Sequence, residues 1–401
     1  MQDVVESIRA HNAGRDPERL ALKLAKMRTG PFVFLRGTCP LFYARLGPLA
    51  LPVEPPRAWC CGDLHFENFG SYKGDNGLVY FDITDFDEAM LAPAVFDPLR
   101  LVTSVLTAAP AMKLEASTAR DLVRSFIDVY AATLAAGKAR WIERDTAEGL
   151  VKTLLASLRE RRRIDWLAAR TALDGRRRRL RTDGRHALPA TKKARRKVEE
   201  IVAACTAHEP EPRFFEVLDV ARRVAGTGSL GLDRHVVLVR GKGSPDGNYL
   251  LDLKEALPPA PAVHVRIRQP AWASEAHRVV AVQTRMQAIS VAFLHAVARR
   301  RRAYVLRALQ PSEDRVRLEA GLGAKPLRRV LEDMARLVAW AELRSAGREG
   351  AAGPEALIAF GAAVGEWREE LLQAAIRAAK QTVRDWEAYV RAYDEGAFEA
   401  R

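Results

Sequence analysis

The hydrophobic pattern changes period along the chain. The N-terminal stretch MQDVVESIRAHNAGRD is polar with helical spacing, and residues 16–28 (DPERLALKLAKMR) set Leu20, Leu22, Leu24 and Met27 in a further helical pattern. A short apolar run, GPFVFLRGT, surrounds Gly30 and Gly37. Residues 57–61 (RAWCC) and 78–83 (LVYFDI) read as strands; GDLHFENFG turns out of the first, and SYKGDNG is a hairpin turn into the second. Beyond Pro93 helices dominate: VFDPLRLVTSVLTA, then LEASTARDLVRSFIDVYAATLAAG, then a helix around residues 146–160. A basic region follows, read as partly loop, and residues 189–208 are helical again. The period then shortens to two. FFEVLDVARRV leads into GTGSLG, RHVVLVRG alternates, GSPDGN is a turn and YLLDLKEA a strand. Pro258, Pro259, Pro261 and Pro270 punctuate the exit from this β-rich island. An amphipathic helix is expected from Ser274, its N-cap, to about Ala303, RAYVLRAL reads as a strand, and two helices fill 326–346 and 354–395.

Composition adds bounds. With 401 residues, 48% of them hydrophobic, the chain can bury a large core, more readily as two lobes than one. No apolar run is long enough for a membrane helix, and the N-terminus lacks an apolar signal core. Cys39, Cys60, Cys61 and Cys205 form no CxxC pair and no zinc spacing, which points to a reduced, cytoplasmic protein. The net charge of +14 peaks between Arg159 and Lys197, in RERRRIDW, DGRRRRLRTDGRH and TKKARRK. Trp166 is the only aromatic residue in that stretch, so a stacking platform for nucleic acid is disfavoured. A solvated face, or a seat for an acidic substrate, is the better reading.

The chemistry concentrates in CGDLHFENFG and YFDITDFDEA. Asp63 and Asn68 are five residues apart, and Asp85 follows seventeen later, after a strand. Phosphoryl transfer needs a loop carboxylate to take or orient a hydroxyl proton, and an amide oxygen and a second carboxylate to hold Mg²⁺ on phosphates. The order D-x-x-x-x-N, hairpin, D-F-x supplies all three. The plainer alternative is that Asp63 and Asn68 cap a turn and that Asp82, Asp85, Asp87 and Glu88 form a solvated acidic loop. So many acidic and amide groups beside two apolar strands, with His65 between, are unusual for a turn alone.

GDLHFEN resembles the G-D-x-H-x-x-N loop of aminoglycoside and choline phosphotransferases, small-molecule kinases of the protein-kinase fold. The resemblance implies Asp63 as catalytic base, His65 as a loop-stiffening neighbour, Asn68 and Asp85 as metal ligands, and Asp97 in AVFDPLRL as a matching later aspartate. Two positions depart from the pattern: Cys61 replaces the first His of H-G-D, and Asp87 replaces the Gly of D-F-G, where it is a further candidate metal ligand.

The sequence before Asp63 holds no glycine loop. The missing parts come later. GTGSLG places Gly226, Gly228, Ser229 and Gly231 between strand-like segments, and YLLDLKEA presents Lys254. These suit an ATP-phosphate loop and its lysine. A dinucleotide-binding reading fits poorly, because a strand rather than a helix follows the glycines. The partner of Lys254 is open between Glu275 and Gln283 on the helix from Ser274, and an ordinary strand lysine is the bland alternative. Arg36 in FLRG is a candidate phosphate contact or a buried salt bridge.

The expected architecture is α+β: a circularly permuted, two-lobe, protein-kinase-like fold. Residues 1–210 carry the catalytic and metal loops of a mainly helical large lobe, 211–310 form a small β-rich ATP lobe with its helix, and 311–401 complete the large lobe. MRTGPFVFLRGT, CGDLHFENFG, FDITDFDEAMLAP, GTGSLG, LKEA and HRVVAVQTRMQ also resemble, in order, a bacterial family of domains of unknown function, number twenty-two fifty-two. The expected activity is Mg-ATP-dependent phosphotransfer to a small-molecule or protein hydroxyl. AMP transfer in the same pocket, a nucleotide-binding pseudokinase or scaffold, and a basic nucleic-acid binder are the alternatives.

Overall fold

A computed structural model describes residues 3–399 except Pro48, Ala50 and Arg176, the last of which belongs to the arginine-rich stretch and lies outside the described residues. Two short helices open the chain: α1 (Val4–His11), whose N-terminus is capped by the Asp3 carboxylate, and α2 (Pro17–Met27), capped by Asp16 with proline at its first position. The apolar run after Gly30 is helical, forming α3 (Pro31–Gly37), and α4 (Cys39–Leu46) follows. Strands β1 (Arg57–Cys60) and β4 (Met90–Pro93) pair antiparallel, and the chain between them makes the hairpin of β2 (Phe69–Lys73) and β3 (Val79–Ile83). Helices α5 (Phe96–Ala108) and α6 (Ala116–Ala135), strand β5 (Ile142–Glu143) on the edge of β3, and α7 (Gly149–Ser157) complete this half.

The basic region is structured. It forms α8 (Arg163–Ala168), the hairpin β6 (Thr171–Asp174) and β7 (Arg177–Leu180), strand β8 (Ala187–Pro189) and the start of α9 (Lys192–Cys205). After it come β9 (Val217–Arg223), β10 (Arg234–Val239), β11 (Tyr249–Ala256), α10 (Glu275–Met286), β12 (His295–Arg299) and β13 (Arg302–Leu309). The chain closes with α11 (Ala324–Ser345), α12 (Pro354–Ala362) and α13 (Val364–Asp394).

Six of these strands form one antiparallel sheet in the order β12-β13-β11-β10-β9-β8. Its register sorts the side chains onto two faces. One face carries Val237, Val239, Leu251, Leu253 and Leu306, which pack with Val198, Ile201 and Val202 of α9 in a dry cluster. The other runs in rows across the sheet: Arg234, Lys254 and Val305, then Val236, Asp252 and Arg307, then Leu238, Leu250 and Leu309. A separate helical layer is built from both ends of the chain, with α5, α6, α11 and α13 around a core that includes Leu99, Phe126, Tyr130, Val338 and Trp367.

Two helix expectations are corrected. The helix from Ser274 stops at Met286, because the next residues are held by the β2–β3 hairpin. Tyr72 donates its hydroxyl to the Ile289 carbonyl (2.7 Å), Asp75 N–H to the Ser290 carbonyl (3.0 Å), and Gly74 bridges Val291. Beyond them, tertiary pairing of β12 with β13 overrides the helical preference of the Ala- and Arg-rich segment. The expected helix over 354–395 breaks at Ala363, just beyond Gly361, where a Cβ would stand 2.5 Å from the Ala131 carbonyl oxygen of α6. The architecture is a mixed α+β fold, and among the described residues no helix is long and apolar enough to cross a membrane.

Candidate active site

The loop after β1 is braced from α5. Asp97 accepts the Cys61 and Gly62 N–H groups (2.5 and 3.0 Å), and burial pushes its pKa up to about 6. Gly62 has a positive φ of 80°, and a Cβ there would collide with the Glu88 carbonyl oxygen at 2.1 Å, so only glycine fits. One turn further along α5 than Asp97, Arg100 is fully buried and grips the Asp63 carboxylate through Nε (2.8 Å) and Nη2. Its guanidinium also lies over the Phe42 ring (4.7 Å) and donates to the Leu35 carbonyl (2.9 Å). Burial raises the Asp63 pKa, and Arg100 opposes that shift.

His65 is buried with its nitrogens facing the Arg36 Nε–H (3.3 Å) and the Glu67 N–H (3.2 Å). Burial first, then Arg36, hold its pKa well below the ordinary value, so the ring is neutral and accepts from one of them. Arg36 itself pairs with Glu67 (2.6 Å) while lining the cavity. The salt-bridge reading of Arg36 is met by Glu67, and the side chain also borders the cavity. Asn68 donates its amide to the Asp63 carbonyl (3.2 Å), which leaves its amide oxygen free to accept, and Thr84 ties the Asn68 carbonyl to the end of β3 (2.8 and 2.9 Å).

The acidic segment after β3 faces the sheet. The Asp85 side chain receives one long hydrogen bond among the described residues, from the Asp87 N–H (3.4 Å). Asp87 is paired with Lys254, which answers the open question of the lysine's partner. Glu275 binds Arg278 (2.6 Å) and Gln283 donates to Gln287 (3.1 Å), so neither pairs with Lys254. Burial lowers the Lys254 pKa, opposed by nearby Asp85. Glu88 accepts the Ala260 N–H (2.5 Å), and burial next to Asp63 raises its pKa to about 7. Arg278 of α10 fixes this segment from above, donating to the carbonyls of Ala89 (2.5 Å), Asp87 (2.8 Å) and Leu257 (2.9 Å).

The glycine loop joins β9 to β10 and reaches the same place. A Cβ on Gly228 would sit 3.1 Å from the Arg36 carbonyl oxygen and 3.7 Å from Asp63 Oδ2. The second helix and the turn before it hold the loop by its carbonyls. Arg15 donates to Gly228 (2.5 Å) and Leu230 (2.9 Å), Lys23 to Gly228 (3.2 Å) and Lys26 to Gly226 (3.3 Å). Lys23 is fully enclosed and also donates to Asn12 (2.7 Å); burial and Arg15 depress its pKa strongly.

A cavity of about 430 Å³ lies where these parts meet. It is lined by Arg36, Asp63, His65, Asn68, Asp85, Asp87, Gly226, Gly228, Ser229, Lys254 and Gln283. Gly231 is not in its wall; it packs on Arg15, and its carbonyl accepts the Asp16 N–H (2.9 Å). Among the described residues no cluster of three or more His, Cys, Asp or Glu side chains is placed to enclose a metal. Asn68 and Asp85 both line the cavity and carry hard oxygen donors, the type used by a cation that takes most of its ligands from phosphate and water. Asp87 in this state is committed to Lys254.

Residues that the sequence reading gave no role matter as much. Arg15, Lys23, Arg100 and Arg278 come to the site from distant segments. Arg100 and Arg278 had local signals, the first one helical turn after Asp97 and the second inside HRVVAVQTRMQ. A family model described as an uncharacterized protein conserved in bacteria (DUF2252) matches residues 15–392. The chain belongs to DUF2252. The matched region of this DUF2252 chain includes Arg15 as well as both halves of the cavity. No curated protein and no solved structure matches the chain.

Proposed function

We propose that the chain is a Mg-ATP-dependent phosphotransferase with a protein-kinase-like, circularly permuted arrangement, acting on a small-molecule or protein hydroxyl. The observation that carries this reading is the meeting of Asp63, Asn68, Asp85, Lys254 and the glycine loop in the wall of one cavity, although more than a hundred residues separate the two halves in sequence. The element order supports it too: glycine loop between two strands, lysine on the third strand, then a helix packed behind.

In this reading Asp63 accepts or orients the proton of the acceptor hydroxyl, and Arg100 keeps it ionised despite burial. Asn68 and Asp85 would hold Mg²⁺ on the phosphates of ATP, and the bound metal supplies charge neutralisation at the transferred group. The backbone N–H groups of residues 226–229 approach the phosphates because glycines leave room, and Lys254 exchanges Asp87 for a phosphate oxygen. Neutral His65 stiffens the loop through Arg36 and the Glu67 N–H.

The test is turnover of isotopically labelled ATP with Mg²⁺. Asp85→Ala abolishes turnover, and Asp63→Asn lowers it while ATP still binds. Wild-type turnover in both variants would overturn the assignment. Label on the γ-phosphate reports phosphoryl transfer, and label on the α-phosphate reports AMP transfer.

A further inference from the structure

The arginine-rich stretch plays no part in the site described, yet it roofs a cavity of its own. The α8 helix and the β6–β7 hairpin cover the far end of the sheet face that carries Lys254, enclosing about 590 Å³, a size typical of small-molecule pockets. The floor is apolar: Val236, Leu250 and Leu309 of the sheet, with Trp166 and Leu180 from the roof. The rim is cationic. Arg170 and Arg181 line it, and neither forms a close ion pair among the described residues, although Glu313 is near enough to favour the Arg170 charge against burial: Arg170 donates to the Trp166 carbonyl (3.2 Å) and lies over the Trp166 ring (4.4 Å), and Arg181 donates to the Thr171 carbonyl (2.9 Å). The local acids are engaged elsewhere, Asp183 with His186 (2.7 Å) and Glu313 with Arg307 (3.4 Å).

This pocket adjoins an intermediate cavity that in turn borders the candidate active site. Arg223 and Glu313 line both the pocket and the intermediate cavity, which shares Thr84, Gln283 and Arg307 with the cavity around Asp63. Between the two ends stands Asp252, the one acid facing three arginines: Arg223 (2.6 Å), Arg234 (2.9 Å) and Arg307 (3.8 Å). The Arg223 Nη1 is buried without hydrogen-bond geometry to any partner. Asp252 is thus shared by three guanidinium groups, of which Arg307 also pairs with Glu313.

We propose that this pocket binds an organic anion: an apolar or aromatic body seated on Val236, Leu250 and Leu309, with a carboxylate, sulfonate or phosphate taken by Arg170 and Arg181. Arginine suits the role because its planar fork matches oxyanion geometry and it is always charged. The claim is independent of the phosphotransfer reading.

The test compares two fluorescent probes of the same shape on the full chain: anilinonaphthalene sulfonate, and N-phenylnaphthylamine, which lacks the sulfonate. The pocket predicts one saturable site preferring the sulfonate. Replacing Arg170→Ala and Arg181→Ala together weakens the sulfonate about tenfold and leaves the neutral probe unchanged. Leu180→Trp, which fills the cavity from the roof, weakens both. Equal affinity for the two probes in the wild type, or unchanged sulfonate binding in the double variant, overturns the proposal. Stabilisation by Mg-ATP is measured on the same double variant. Its loss in wild type and variant alike, with the probe preference intact, counts against phosphotransfer and not against this pocket.

Discussion

The pair between Arg100 and Asp63 gives the sharpest energetic prediction. Arg100 is fully buried, Asp63 is largely so, and Nε and Nη2 of one guanidinium both meet one carboxylate oxygen. Replacing Arg100→Met keeps the volume and the contact with Phe42 but leaves the carboxylate without its counter-charge, and the Leu35 carbonyl loses its donor. Breaking a buried pair from one side costs about 3–5 kcal/mol. The lower end fits here, since Arg100 Nη1 is already buried without a partner. Against a total stability of about 5–15 kcal/mol the variant still folds. Asp63→Asn in the Arg100→Met background removes the stranded charge, so the double variant recovers about 1–3 kcal/mol relative to the sum of the singles. Urea unfolding followed by tryptophan fluorescence and by circular dichroism measures all four proteins, and coincident transitions license the comparison. A cost below 1 kcal/mol for Arg100→Met, or strict additivity, would refute the claim that this pair organises the loop.

Three further outcomes follow from the site. Asp87→Asn releases Lys254, and metal-free ATP binding tightens by about fivefold, the equivalent of about 1 kcal/mol from a partly exposed pair; weaker binding in calorimetry would instead make Asp87 a nucleotide or metal ligand. Glu88 has a folded pKa of about 7, above its ordinary value of 4.5, so its contribution to stability is present below pH 4.5 and is lost as pH rises to 7. Glu88→Gln therefore flattens the fall in urea midpoint across that window and is more stable than wild type at pH 8 by about 1–2 kcal/mol, a figure reduced for water in the cavity; an unchanged pH profile contradicts the burial argument. Gly228→Ala presses a methyl group against the Arg36 carbonyl, lifts the loop from Asp63, costs about 1 kcal/mol and slows ATP turnover; undiminished turnover would show that the loop tip is not needed over Asp63.

What could be read from the sequence was local. Asp63, Asn68 and Asp85 stand in short motifs whose spacing implies loop and hairpin, and the glycines announce a loop wherever backbone must come close. Strands β10 and β11 were legible because RHVVLVRG and YLLDLKEA alternate and are bounded by turn residues, whereas β12 fell inside the expected helix and β8 inside the basic region. The failures were of tertiary origin. Nothing local tells that residues after Met286 are claimed by the β2–β3 hairpin, or that a loop after an aspartate-rich strand will hand Asp87 to Lys254. The clamps on the glycine loop come from Arg15 and Lys23, side chains that look like ordinary surface cations on amphipathic helices. The basic stretch looked like partly loop because charge masks the few apolar positions, such as Leu167 and Leu180, that seat it on the sheet.

The central claim is that the cavity around Asp63, Asp85 and Lys254 takes a metal–nucleotide complex. The most direct measurement is thermal unfolding of the purified protein with millimolar ATP, with and without Mg²⁺, on the wild type and Asp85→Ala. The account predicts a rise in midpoint that requires the metal and disappears in the variant. An unchanged midpoint in the wild type, or an equal rise in Asp85→Ala, would contradict it.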